Sequence, residues 1–202
     1  MNLPNKLTLL RMVLVPVVVV LILVDSIPMH WLWAGIVFGI ASITDALDGN
    51  IARKRGLVTD FGKLMDPIAD KLLVISAFVC FITVSLPNPD WGVLCSPWVV
   101  IIILAREFLV TSARMIYAER GVVIAANIWG KLKTVIQIVS IVTIFVVMFA
   151  LELLNIFELG SALINNIASI IIIVVTWLSA LITVISGGTY LYQCRDLLKD
   201  AK

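Results

Sequence analysis

The sequence predicts an all-α integral membrane protein: six transmembrane helices, a short N-terminal amphipathic helix in the membrane interface, and both termini cytoplasmic. Three observations predict it. Of the 202 residues 61% are hydrophobic and only 14% charged, with a mean hydropathy of +1.11, which is more apolar surface than a soluble domain of this size can bury. The apolar residues fall in long runs, and about 20 of them cross the roughly 30 Å of hydrocarbon as a helix. All 15 Lys and Arg residues lie on the side of the termini, whereas the opposite connections carry only Asp25, His30, Asp90, Glu152 and Glu158. By the positive-inside rule the basic side faces the cytoplasm.

Residues 1–11 (MNLPNKLTLLR) set Lys6 and Arg11 among leucines, the composition of an interfacial lead-in. The start of the chain is read as a retained helix, since no small-residue cleavage site follows. Residues 12–24 form the first span, which Pro16 is expected to kink, and Asp25, Ser26 and Pro28 make a turn. The second span covers 31–51, with Trp31 and Trp33 as an aromatic belt. A polar connection at 53–62 leads to the third span, 63–86, with Pro67 in its first turn. PNPDWG, 87–92, reads as a loop. The fourth span, 97–118, carries Arg106, Glu107 and Arg114; the fifth, 129–151, opens with Lys131 and Lys133. The sixth, 161–192, is too long for a simple crossing and is expected to tilt or project, with Gly187 and Gly188 as a bend. Residues 1–202 make a single domain. Cys80, Cys95 and Cys194 imply neither a disulfide framework nor a zinc site, and Cys80 is expected in the core.

The chemistry concentrates in residues 45–70, DALDGNIARKRGLVTDFGKLMDPIAD. Asp45 and Asp48 stand three apart and Asp66 and Asp70 four apart, so each pair shares a helix face. A carboxylate in the membrane costs roughly 2.5 to 3.5 kcal/mol at the centre, and like charges repel further. Cations must offset four of them. Oxygen ligands without His or Cys suit hard ions such as Mg²⁺, Mn²⁺ or Ca²⁺ and not zinc, and Asp45, Asp48 and Asp66 are the expected metal ligands. Gly49 leaves room for close approach of a ligand, and Arg53, Lys54, Arg55 and Lys63 supply positive charge. Together these suggest a diphosphate substrate. Arg106, Arg114, Lys131 and Lys133, at the cytoplasmic ends of the fourth and fifth spans, favour a phosphorylated acceptor; the alternative is that they snorkel to lipid headgroups. Arg106 lies deep enough to need a buried partner, and Glu107, its neighbour in sequence, is expected to point elsewhere on the helix.

Asp45, Asp48, Gly49, Ala52, Arg53, Gly62, Asp66 and Asp70 match without departure the pattern D-x2-D-G-x2-A-R-x8-G-x3-D-x3-D, in which the chain resembles the CDP-alcohol phosphotransferase family. The resemblance implies two divalent ions, Mg²⁺ or Mn²⁺, on Asp45, Asp48 and Asp66, with Asp70 as general base and also a ligand. It implies that Gly49, Arg53, Gly62 and Lys63 contact the cytidine nucleotide, with Asn5 and Thr8 near it, although both of the latter also suit helix capping. A hydroxyl then attacks a CDP-linked lipid and CMP leaves. PNKLTLLR, AREFLVTSAR and WGKLKT resemble family members that accept sn-glycerol 3-phosphate and use CDP-diacylglycerol; inositol phosphate and serine stay open as acceptors. A homodimer in the cell membrane, among membrane lipids and with its site facing the cytoplasm, follows from the same resemblance and the charge asymmetry. No nucleic-acid partner is expected. A prenyl transferase would read as paired DDxxD boxes, and a cation transporter would spread its acids through the midplane.

Overall fold

A computed structural model describes residues 3–55, 60–119 and 128–193; within these, the side chains of residues 3–4, 45–55, 60–64, 66–67, 70 and 118–119 lie outside the description. Six α-helices follow in order: α1 Leu3–Leu23, α2 His30–Arg55, α3 Asp60–Phe81, α4 Pro97–Glu119, α5 Ile128–Ile156 and α6 Ala162–Gln193. Among the described residues the only β-pairing is a single bridge, Ser85 to Val93. Three stretches are long and apolar enough to cross a membrane, Asn5–Leu23, Ile128–Ile156 and Ala162–Gln193; His30–Thr44 and Lys71–Phe81 are shorter apolar helices. The chain is an all-helical, multi-pass membrane protein.

The distribution of side chains says the same. Arg11, Glu107, Lys133, Gln137, Ser140 and Thr183 are buried, while Val13, Val20, Ile101, Phe108, Val139 and Val174 are exposed. Apolar surface outside and polar groups between helices is the arrangement that hydrocarbon solvent favours. On α1 the buried face runs Asn5, Thr8, Arg11, Val15, Val18 and Ile22, at helical spacing, and packs on α2 and α3. The lead-in expected as a separate interfacial helix is instead continuous with the first span across Arg11 and Met12. Arg11 is fully buried, so protein contacts hold this turn in line with the rest. Pro16 is accommodated within α1.

α2 presents Trp31, Ala34, Phe38 and Ala41 inward. Phe145 of α5 meets the rings of Trp31, Phe38 and Phe81 at 6.3, 5.6 and 5.7 Å, which centres the core between α2, α3 and α5. α3 ends at Phe81, earlier than the expected 86, because the chain turns into a hairpin: Leu94 N–H donates to Val84 O and Leu86 N–H to Gly92 O, both at 2.8 Å. Within the expected loop a 3₁₀ turn, Pro89–Trp91, is capped by Asn88, and Gly92 supplies the φ of 101° that closes it. Asn88 also fastens the hairpin to α6, through Asn166 Oδ1 at 2.7 Å and Ser169 Oγ at 3.0 Å. α6 buries Ser169, Thr176, Ser179, Thr183 and Ser186 against α4 and α5, and stays helical through Gly187 and Gly188.

Candidate active site

The motif spans the end of α2 and the start of α3. At about 1.5 Å per residue, Asp48 stands about 10 Å before the end of α2 and Asp66 about 9 Å after the start of α3; Asp45 and Asp70 each stand about 15 Å from those ends. The two pairs lie at similar distances from the facing ends of consecutive helices, which touch each other and share α1 as a neighbour. The side chains of Asp45, Asp48, Arg53, Lys63, Asp66 and Asp70, and the surroundings of Gly49 and Gly62, lie outside the described residues. The donor set fits hard divalent ions by its chemistry, four carboxylates without a thiolate or imidazole. Asn5 and Thr8 are both buried on the face of α1 that meets α2 and α3. Thr8 lies well inside α1, past any N-cap.

Next along the bundle comes a polar layer across α3, α4, α5 and α6. Lys71 Nζ donates to Thr111 Oγ1 at 2.8 Å, linking α3 to α4. Glu107 Oε1 accepts from Lys133 Nζ, linking α4 to α5, and also from Arg106 Nη1 at 3.2 Å. Arg106 Nη2 donates to Ser186 Oγ at 2.7 Å, and Gln137 Nε2 to Thr183 Oγ1 at 3.1 Å, both linking to α6. Gly187 makes the first of these possible: a Cβ there would stand 3.1 Å from Arg106 Cγ. Lys71, Glu107, Lys133, Thr134 and Gln137 line one small cleft.

The expectation that Glu107 points away from Arg106 is overturned. Their side chains curl to one another from adjacent positions, because a half-buried guanidinium next to a buried carboxylate is cheaper paired than apart. Snorkelling also fails to describe Lys133, which is 7% exposed and ion-paired. Arg114 and Lys131 differ from these two. Both are exposed, and the Arg114 guanidinium lies over the Tyr190 ring, 5.9 Å from its centroid. The four basic residues thus divide into an inner pair and an outer pair. Glu107, Ser186, Thr111, Gln137 and Lys71 were missed from the sequence. An acid beside Arg106, deep inside a mostly apolar fourth helix, was the signal available for Glu107.

Among the described residues this layer gathers three cations, Lys71, Arg106 and Lys133, and the carboxylate of Glu107. Arginine and lysine in a desolvated setting are groups that can receive an anion such as a phosphate.

A model of the CDP-alcohol phosphatidyltransferase family matches residues 1–186. A Bacillus subtilis protein named CDP-diacylglycerol--glycerol-3-phosphate 3-phosphatidyltransferase is 39% identical, covering 99% of this chain and 98% of its own length. A Rickettsia typhi protein of the same name is 39% identical over 96% of this chain and 97% of its own. A Mycobacterium tuberculosis protein named probable phosphatidylglycerophosphate synthase is 42% identical over 69% of this chain and 64% of its own. With the motif on α2 and α3 and a match along nearly its whole length, this chain belongs to the CDP-alcohol phosphatidyltransferase family.

Proposed function

We propose that the protein transfers the phosphatidyl group of CDP-diacylglycerol to sn-glycerol 3-phosphate, forming phosphatidylglycerophosphate and releasing CMP. One observation carries the reading: relatives aligned along nearly the full chain bear the name of that reaction. The largely buried cations Lys133 and Arg106 in the polar layer support a phosphorylated acceptor over serine.

In this reading the acceptor hydroxyl oxygen forms a bond to the phosphorus that carries the diacylglycerol, and the bond from that phosphorus to the CMP oxygen breaks. Asp70 takes the hydroxyl proton. Asp45, Asp48 and Asp66, with Asp70, would hold two divalent ions, Mg²⁺ or Mn²⁺, which when bound offset the negative charge of the diphosphate. Gly49, Arg53, Gly62 and Lys63 hold the cytidine nucleotide from α2 and α3, and Asn5 and Thr8 from the buried face of α1. Lys133 and Arg106 receive the acceptor phosphate from inside, with Arg114 and Lys131 at its entrance. Six spans, cytoplasmic termini, a cytoplasm-facing site in the cell membrane and a homodimer complete the proposal.

The test is CMP release from CDP-diacylglycerol in detergent with Mg²⁺ or Mn²⁺, comparing glycerol 3-phosphate, inositol 1-phosphate, serine and no acceptor. Release that requires glycerol 3-phosphate is expected. Release with inositol 1-phosphate or serine alone would overturn the acceptor, and no release with any would overturn the reaction.

A further inference from the structure

At the other end of α2 the chain builds a second polar cavity. Its walls include His30 and Trp31 of α2, Pro87 of the hairpin, Glu152 and Asn155 of α5, and Asn165 of α6, around about 240 Å³. His30 lies 15 residues before Asp45 on one helix, about 22 Å along the axis, so this cavity is separate from the motif.

One buried acceptor here lacks a donor among the described residues. Glu152 Oε1 accepts the Met29 N–H at 2.7 Å, which seats the turn before α2. Glu152 Oε2 is buried and has no hydrogen-bond partner among the described residues. A buried carboxylate oxygen left in that state is costly unless a donor or cation meets it. His30 is 6% exposed. Its Nδ1 sits 2.9 Å from Leu21 O, a carbonyl that can only accept, so Nδ1–H donates there and that bond leaves Nε2 unengaged. Asp25 Oδ1 is 3.8 Å from Nε2, beyond hydrogen-bond length. Among the described residues these groups do not converge as metal ligands. The described charged residues at this end, Asp25, Asp90, Glu152 and Glu158, are all acidic.

Trp31 also belongs to a neighbouring feature. With Trp31, an apolar groove of about 190 Å³ between α2 and α5 is lined by Gly35, Ile36, Val142, Phe145 and Phe149. Polar cavity and apolar groove therefore meet at one side chain, in a head-and-tail arrangement along the bundle surface.

We propose that this is a binding site for a membrane lipid with a primary ammonium headgroup, taken from the leaflet opposite the motif. The ammonium donates to Glu152 Oε2, His30 Nε2 and the amide oxygens of Asn155 and Asn165, and an acyl chain lies in the groove along Ile36 and Val142. A quaternary ammonium has no N–H to give these acceptors, and a net anionic headgroup meets like charge.

The test uses the full chain in nanodiscs of equal phosphatidylethanolamine, phosphatidylcholine and phosphatidylglycerol, with retained lipid read by native mass spectrometry. Wild type is expected to retain phosphatidylethanolamine at least about tenfold over the other two, as one charge-assisted hydrogen bond allows. Glu152→Gln, which keeps an oxygen for Met29 N–H but presents a donor toward the cavity, is expected to abolish the preference. Val142→Trp, which fills the groove and leaves the cavity intact, is expected to lower total retained lipid. Both variants should melt as wild type does, and free ethanolamine should not displace the lipid. Equal retention of the three lipids by wild type, an unchanged preference in Glu152→Gln, unchanged retention in Val142→Trp, or displacement by free ethanolamine would each overturn the proposal.

Discussion

Glu107 sets one carboxylate between two cations, and its removal differs from the removal of either partner. Glu107→Gln removes the carboxylate that Arg106 and Lys133 share in a desolvated layer, and is expected to cost about 3 kcal/mol in reversible unfolding in detergent. Lys133→Gln leaves Glu107 still paired with Arg106 and should cost less. In steady-state kinetics, Lys133→Gln should raise the KM for glycerol 3-phosphate about tenfold or more while leaving that for CDP-diacylglycerol near its original value. Asp70→Asn should lower the rate of CMP release by about 10² to 10⁴, the usual worth of a general base, with nucleotide binding retained in a filtration assay. At Cys95, in the hairpin outside the helices, burial pushes the thiol from its ordinary 9.0 up to about 12. Its neutral form is favoured by the fold, so this contribution to stability is whole below pH 9 and is lost as pH rises through 12. Maleimide at pH 7.5 should leave Cys95 unlabelled until the protein is unfolded. The acids of the motif were legible at this scale because their spacing is fixed within one segment. The partner of Arg106 was not, since pairing of adjacent residues depends on side-chain torsions that helical spacing does not specify.

Among the elements, the apolar runs gave all six helices, because in hydrocarbon a run of that length has one backbone solution. Their ends were less legible. α3 stops at Phe81 where the hairpin takes over its backbone hydrogen bonds, and the bridge between Ser85 and Val93 leaves little local mark in an apolar stretch. The lead-in and first span merge because Arg11 is buried by helices distant in sequence. Gly187 and Gly188 show how packing decides the meaning of neighbouring identical residues. A Cβ on Gly187 would press on the stem of Arg106 at 3.1 Å, whereas nothing stands within 4 Å of one on Gly188. Gly188→Ala should therefore raise stability by about 0.5 to 1 kcal/mol, the helical advantage of alanine. Gly187→Ala should forfeit that gain, and Gly187→Leu should lower stability by about 1 to 3 kcal/mol through overpacking, read in the same unfolding assay.

For the whole molecule, the connections give an argument on topology that does not use charge. Met29, in the turn between α1 and α2, donates to Glu152 near the end of α5. Asn88, in the hairpin between α3 and α4, donates to Asn166 near the start of α6. Those contacts draw three alternate connections to one end of the bundle: after α1, after α3 and after α5. Helices that cross between the ends then carry the α2–α3 connection, beside the motif, to the other end. Charge counting assigned the same division from the sequence alone, through Asp25, Asp90 and Glu158 on one side and the basic residues on the other. Six crossings remain the proposal, which cysteine labelling in whole cells can test. In a background with Cys80, Cys95 and Cys194 replaced by alanine, single cysteines at Ser26, Asp90 and Glu158 should react with a membrane-impermeant maleimide from outside. Cysteines at Leu57 and Lys202 should react only after permeabilisation. Labelling of Leu57 from outside would invert the molecule and move the motif away from a cytoplasmic acceptor; labelling of Asp90 only after permeabilisation would break the alternation and reduce the number of crossings.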